Sequence, residues 1–255
     1  MSGFDESGWG GAEYDQVYRD SADIIIPQRA TLLRIVASFF QTFTAQDRSG
    51  WAVTDDASPV RVLDLGCGDG ILTESLSSLS GTGMRTPDFT LMDGSAGMLQ
   101  AAHKRLAGLA VSEYCQVTFE DIITGTFRRP PYDLIVSSFA IHHLVSEQKA
   151  ALFRSLYKLL VPGGFFLNTD VVLSDYDPYT EWYYTLWRRW IAARQRNLGL
   201  SEDLTTITEE ASDKEENHYE SLDAQRDALT RAGFANVTCH YRYGLFAIYG
   251  GQRPQ

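Results

Sequence analysis

The stretch Val62-Leu63-Asp64-Leu65-Gly66-Cys67-Gly68-Asp69-Gly70 constrains this 255-residue chain more than any other. An apolar run closes on an acid, passes into three glycines within five residues, and leads into a helical pattern from Ile71 to about Leu79. A strand that turns on glycines into a helix belongs to an open α/β sheet. Ligands of such sheets sit at the carboxyl ends of the strands, where glycines let backbone come close to them. A dinucleotide fingerprint is spaced GxGxxG and holds pyrophosphate on the helix N-terminus. The spacing here is GxGxG, and Asp64 stands two residues ahead of the first glycine. A carboxylate at that point repels pyrophosphate and suits a cationic ligand.

The rest of the chain agrees with a parallel sheet. Ala30 to Phe43 reads as an amphipathic helix, with Leu32, Leu33, Ile35, Val36, Phe39, Phe40 and Phe43 at helical spacing, and Gln46 to Pro59 as a polar loop. Strands are predicted at Val60–Leu65, Phe89–Met92, Tyr114–Phe119, Leu134–Ser138 and Phe165–Thr169. Helices are predicted from Ala96 to about Leu109, capped by Ser95, and from about Ser146 to Leu160, stopped by Pro162-Gly163-Gly164. Nearly all-apolar strands alternating with helices point to a sheet covered on both faces. An aromatic-rich helix over Asp175 to about Arg196 breaks the alternation. An acidic stretch from Leu200 to Asn217, a helix over Ser221–Ala232 and a hairpin of Val237–Tyr243 and Leu245–Tyr249 follow. The expectation is one unit over 1–255. Residues 1–59 form a helical N-terminal segment and 60–170 a ligand-binding core, 171–220 a cap over the sheet's carboxyl edge, and 221–255 a terminal helix and hairpin.

Charge and cysteines narrow the function classes. Lys+Arg is 22 against Asp+Glu 33, a net charge of −11. Non-specific nucleic-acid binding needs basic surface for counterion release, so no nucleic-acid partner is expected. No apolar run reaches the roughly 20 residues that span a bilayer, so no membrane partner is expected either. Met1 to Gly10 carries no Lys or Arg, so no signal peptide is visible. Cys67, Cys115 and Cys239 are odd in number, far apart and without CxxC spacing. They fit a reducing cytoplasmic setting and argue against a disulfide framework or a zinc site.

The glycine-rich nonapeptide resembles motif I of the class I S-adenosylmethionine-dependent methyltransferases, whose cofactor carries an ammonium and a sulfonium. The resemblance runs in order to about Asp170. It implies a Rossmann-like seven-stranded α/β sheet, mostly parallel with a C-terminal antiparallel hairpin, plus a helical cap. It also implies that Asp64, Gly66, Cys67 and Gly68 meet the cofactor. Asp93, closing Thr90-Leu91-Met92-Asp93, corresponds to the acid that binds the ribose hydroxyls, with Gly94 and Met98 near the adenine. Phe119-Glu120-Asp121-Ile122 makes Asp121 the counterpart of the acid that accepts from the adenine amino group, with Ile122 beside it. Tyr132 to Phe139 looks like motif IV and brings Ser138 and Phe139 to the pocket. Glu13-Tyr14-Asp15-Gln16-Val17-Tyr18 resembles a segment of small-molecule methyltransferases in which an aromatic closes over the methionine end of the cofactor. Tyr14 then offers a cation–π contact, and Arg29 a bidentate partner for the cofactor carboxylate. Packing of the N-terminus and an ordinary helix-start arginine are the competing readings of these two.

Ile141-His142-His143-Leu144 follows the fourth strand, at the edge where an acceptor meets the methyl group. A neutral imidazole there can take a proton from a hydroxyl or amine, and either His142 or His143 fits. The competing reading is a pair that shapes the cofactor pocket. Asp170, ending the fifth strand, is placed to orient an acceptor or a histidine. Adjacent histidines with no third ligand in view do not make a metal site. In the cap, Tyr183, Trp187 and Trp190 share one helical face and are candidates for substrate contact, with plain core packing as the alternative. The expected activity is methyl transfer to an oxygen or nitrogen of a small molecule, with a homodimer admitted. Leu222–Gly250, with Arg231-Ala232-Gly233-Phe234, also resembles carboxy-S-adenosylmethionine synthases, which modify the cofactor for tRNA chemistry. That family places an arginine in the cap, whereas Glu209 to Glu220 here has only Lys214 and is acidic. A non-catalytic S-adenosylmethionine-binding regulator is the third reading.

Overall fold

A computed structural model describes residues 21–45, 58–78, 85–200, 203–213 and 217–255. In chain order its elements are α1 (Arg29–Phe40), running into a π-helical turn Gln41–Ala45, then β1 (Val60–Leu65), α2 (Ile71–Ser78), β2 (Pro87–Asp93) and α3 (Ala96–Arg105). There follow β3 (Val111–Gln116), α4 (Phe119–Ile123), β4 (Tyr132–Ser138), a 3-10 turn Ile141–His143, α5 (Ser146–Leu159) and β5 (Leu160–Val171). The chain continues with α6 (Asp177–Leu198), a 3-10 turn Leu204–Thr206, α7 (Ile207–Asp213), α8 (Leu222–Arg231), β6 (Ala235–Tyr243) and β7 (Phe246–Gln252).

The seven strands form one sheet in the order β3-β2-β1-β4-β5-β7-β6. The strands β1 to β5 pair in parallel, and β7 lies antiparallel to both β5 and β6. Alternating side chains divide the core between the two faces. Val60, Val62, Leu134 and Val136 pack with Leu32, Val36 and Phe40 of α1 and with Leu72 and Leu76 of α2. Leu63, Leu65 and Ile135 turn the other way, against Leu152, Phe153 and Leu156 of α5 and Leu229 of α8. The strand order reverses between β1 and β4, which opens a crevice at their carboxyl ends.

Several boundaries differ from the expectations drawn from sequence, among them three in the 60–170 core. The third strand spans Val111–Gln116, not Tyr114–Phe119. Thr118 caps a helix there through a reciprocal capping box with Asp121, which withdraws Phe119 from the strand. The fifth strand starts at Leu160 and runs through Pro162-Gly163-Gly164, because the Gly163 and Arg253 backbones bond to each other and draw that stretch into the sheet. The helix after Ser95 ends at Arg105, four residues early, although Ser95 caps it as expected by accepting from the Met98 amide at 3.2 Å.

Helix α6 lies at the carboxyl end of β5. Its Trp187 and Ile191 pack with Ala22, Ile24, Ile26 and Phe246, and Phe246 pairs with Val171 at the end of β5. Among the described residues no helix is long and apolar enough to cross a membrane.

Candidate functional site

The turn after β1 forms one wall of a cleft. Gly66 to Asp69, Phe139 and Thr169 line it from the sheet edge, and Arg29, Leu33 and Val36 of α1 line it from above. Asp93 holds the turn in place: its Oδ2 accepts from the Gly68 amide at 2.9 Å and its Oδ1 from the Ser95 amide at 2.8 Å. Arg105 clamps the same turn from α3, donating to the Asp69 carbonyl at 3.0 Å and to Asp69 Oδ2 at 2.6 Å. Gly66 and Gly68 both have positive φ, where a side chain is strained. A Cβ on Gly66 would strike the Ala140 Cβ at 2.5 Å, so that glycine serves the packing of the turn on the β4 loop. A Cβ on Gly68 would meet nothing within 4 Å.

Asp64 lies on the α1–α2 face beneath this turn, fully buried. Its Oδ2 accepts from the Thr73 hydroxyl at 2.6 Å, and its Oδ1 is buried without a partner. Burial pushes its carboxyl up to about 7 against the pull of Thr73, and the charges of Asp93 and Asp69 add to the rise. Burial likewise pushes the Cys67 thiol up, so it stays neutral.

At the ends of β4 and β5 stands a histidine–aspartate pair. The His142 Nδ1 lies 2.5 Å from Asp170 Oδ1, and the His142 amide donates to Asp170 Oδ2 at 3.1 Å. Asn168 Nδ2 also donates to Oδ2, at 3.2 Å, and the Val171 amide to Oδ1, at 2.9 Å. Burial alone would raise the Asp170 carboxyl, but the neighbouring His142 and these hydrogen bonds hold it below the usual carboxylate range. The His142 ring packs 4.0 Å from that of His143 and 5.2 Å from that of Tyr219. With Nδ1 committed to Asp170, Nε2 is the nitrogen that can take a proton from an acceptor. The Phe139 amide bonds to the Thr169 carbonyl at 2.8 Å, so the loop carrying the pair is continuous with the cleft wall.

The structure thus brings Arg29, Gly66, Cys67, Gly68, Ser138 and Phe139 to one cleft, with Asp93 bonded to its turn. Arg29 is paired with Asp23 at 2.8 Å, its side chain 10% exposed. Tyr14 lies outside the described residues. Asp121 has its Oδ2 on the Thr118 amide and hydroxyl and its Oδ1 on Thr126, so its geometry is that of a cap. Ile122 and Met98 are buried, and Gly94 is half-buried. Trp187 is a core residue whose indole N–H donates to the Ile25 carbonyl at 2.6 Å. Tyr183 lies under the Arg242 guanidinium at 4.9 Å, and Trp190 packs edge-on against Tyr243. The sequence reading missed Asp69, Thr73, Arg105 and, apart from Arg29, the α1 wall. Helix α1 ends at Phe40, well before the turn in sequence, and its apolar stripe hinted only at a packing role.

The family described as a methyltransferase domain matches residues 63–166. A carboxy-S-adenosyl-L-methionine synthase of Chromohalobacter salexigens is 28% identical over 195 residues, covering 73% of this chain and 66% of that protein. An uncharacterized methyltransferase of Mycobacterium bovis is 33% identical over 129 residues, covering 49% of this chain and 57% of that one. Among solved structures, an O-methyltransferase family protein from Burkholderia thailandensis superposes with a TM-score of 0.61 at 15% identity, over 96% of this chain and 62% of that one. The chain therefore spans less than two thirds of the length of each of these relatives.

Proposed function

We propose that the chain is a class I S-adenosylmethionine-dependent methyltransferase that moves a methyl group to an oxygen or nitrogen of a small-molecule acceptor, a reading supported by the methyltransferase-domain match over residues 63–166. The observation that carries this reading is one sheet edge on which the Gly66–Asp69 turn and Asp93 lie beside a paired His142 and Asp170, with Arg29 of α1 facing the turn across the cleft. The residues present fit the cofactor. The space above Gly68 admits a ligand against backbone, Asp93 sets negative charge beneath it beside an Asp69 offset by Arg105 and a buried Asp64 raised to about 7, and Arg29 can take its carboxylate. When bound, S-adenosylmethionine supplies an electrophilic methyl on a sulfonium.

The work left to the protein is alignment and removal of a proton. Asp93, held by the Gly68 amide, takes the ribose side, and Arg29 fixes the opposite end. His142 Nε2 accepts the acceptor's proton, with Asp170 keeping the Nδ1 proton in place and offsetting the charge that forms. His143 remains the alternative base through its place beside His142. Tyr183 and Trp190 form the aromatic side of the acceptor space, and Trp187 supports them from the core. A soluble acceptor in the cytoplasm, with neither nucleic acid nor membrane as partner, completes the reading, and the net charge of −11 disfavours the nucleic acid.

Calorimetry tests the cofactor directly. S-adenosylmethionine and its demethylated product should bind and NAD should not. Asp93→Ala should weaken binding by about 1–3 kcal/mol, since both the ribose and the Gly68 amide lose an acceptor. Methyl turnover is then sought across phenols, amines and carboxylic acids. Binding of NAD in place of S-adenosylmethionine would overturn the reading.

A further inference from the structure

Behind the His142–Asp170 pair runs a circuit of polar side chains from five separate stretches of chain. Asn168, Tyr249, Gln225 and Lys149 are each 3% exposed or less. Asn168 uses its amide nitrogen twice, donating to Asp170 Oδ2 and to the Tyr249 hydroxyl at 2.8 Å. The Tyr249 hydroxyl donates in turn to Gln225 Oε1 at 3.1 Å. Gln225 Nε2 donates to Glu220 Oε2, which also receives the Lys149 ammonium at 3.1 Å. Lys149 reaches the His218 carbonyl as well, and the His218 amide donates to the His142 carbonyl at 2.8 Å, which closes the circuit.

The direction of every bond in this circuit follows from its charged end. A carboxylate paired with an ammonium accepts only, so Gln225 must turn its NH2 toward Glu220 and its oxygen toward Tyr249. Tyr249 then donates to Gln225 and is left to accept from Asn168. Burial keeps its phenol protonated and able to donate. Asn168 therefore presents N–H rather than C=O to Asp170. Were its amide reversed, an oxygen would face the Asp170 carboxylate. A lysine–carboxylate pair whose ammonium is buried and whose carboxylate is half-buried is a poor way to gain stability, because apolar residues of similar volume do as well or better. The network leaves Asn168 Oδ1 buried without a partner, and what it specifies is the direction of its bonds.

We propose that Tyr249 is a positioning residue. With Gln225 and Asn168 it passes donor–acceptor polarity from the Lys149–Glu220 pair to Asp170 and so holds that carboxylate on His142 Nδ1. This rests on the reading of His142–Asp170 as the acceptor base. The same circuit ties residues 217–220, where the cap returns to the sheet, to the loop that carries His142.

Proton NMR of the whole chain without cofactor tests this apart from turnover. The wild-type protein should show a downfield Nδ1 proton, assigned to His142 by its loss in His142→Ala. In Tyr249→Phe that resonance should be lost to exchange with water. S-adenosylmethionine affinity should stay within about twofold, and turnover should fall on the order of tenfold to a hundredfold, as displaced catalytic groups do. Gln225→Met, which keeps the Tyr249 hydroxyl, should lose the same resonance, and it decides the matter if Tyr249→Phe does not fold. An unmoved resonance in the folded variants, or none in the wild type, overturns the proposal. Failure of the methyl-transfer reading looks different: no S-adenosylmethionine binding by the wild type, with a resonance that still responds to Tyr249→Phe.

Discussion

Asp64 and Asp170 end strands on the same edge of one sheet and are both buried, yet burial acts on them with opposite outcomes. Asp64 has the Thr73 hydroxyl on one oxygen and nothing on the other, with Asp93 and Asp69 adding like charge nearby, and its carboxyl sits at about 7. Asp170 has a histidine on one oxygen and N–H donors on both, and stays ionised below the usual range. The glycine-turn side of the edge therefore keeps a carboxyl short of positive partners, which suits the arrival of a cation from outside. The β4–β5 side carries its own partner and is complete before any ligand arrives. On the proposed reading, the first half of the edge receives the cofactor and the second acts on the acceptor.

The largest test of that contrast is removal of Asp170. Asp170→Ala leaves His142, Asn168 and two backbone amides buried with one acceptor fewer, so denaturant unfolding should show a loss of about 3–5 kcal/mol. His142→Ala removes the proton acceptor while keeping the carboxylate's other donors. Turnover should fall on the order of a hundredfold or more, with S-adenosylmethionine affinity kept. If both variants retain near-normal turnover, the two halves of the edge do not differ in function, and the pair is structural.

A second test uses pH and sets the two acids against each other. The folded-state pKa of Asp64 is raised, so the folded chain holds a proton that the unfolded chain has released. Its stabilising effect is complete at low pH and is lost as pH rises from about 4 toward 7. Asp170 is lowered, so its contribution is present above the unfolded carboxylate range and is lost as pH falls. Asp64→Asn should remove the decline with rising pH, a slope on the order of 1 kcal/mol per pH unit, and leave the acid limb that Asp170 supplies. Equal slopes in the two proteins would show that the Asp64 carboxyl titrates as if in water.

The two halves also differed in how far sequence exposed them. Val60–Leu65 and the turn after it were legible because the signals are local: an apolar strand, an acid and three glycines within eleven residues. Asp93, His142 and Asp170 were legible as strand-end residues in an alternating pattern. The partner that aims Asp170 was not. Asn168 reads as one polar residue in an apolar strand, and Tyr249 as a hairpin aromatic, though they bond across 81 residues. Asp121 has a second, local role that the sequence reading did not give it. An acid three residues after Thr118 is also a capping box, and the local hydrogen bonds claimed it. Trp187 shares a helical face with Tyr183 and Trp190, but only the fold reveals that the Ile25 carbonyl takes its indole N–H.

The smallest expected change in stability is also the finest probe of the receiving half. Gly66 and Gly68 both hold positive φ, so alanine at either should cost roughly 1–2 kcal/mol for a left-handed L-residue. Gly66→Ala adds a collision with the Ala140 methyl and should lower the melting temperature further. Gly68→Ala adds no collision inside the protein and should stay near the lower figure. If the space above Gly68 is where S-adenosylmethionine meets the backbone, a methyl group there costs affinity out of proportion to stability, by tenfold or more in calorimetry. Gly68→Ala binding as tightly as the wild type would place the cofactor elsewhere along the edge and leave Gly68 a turn residue like Gly66.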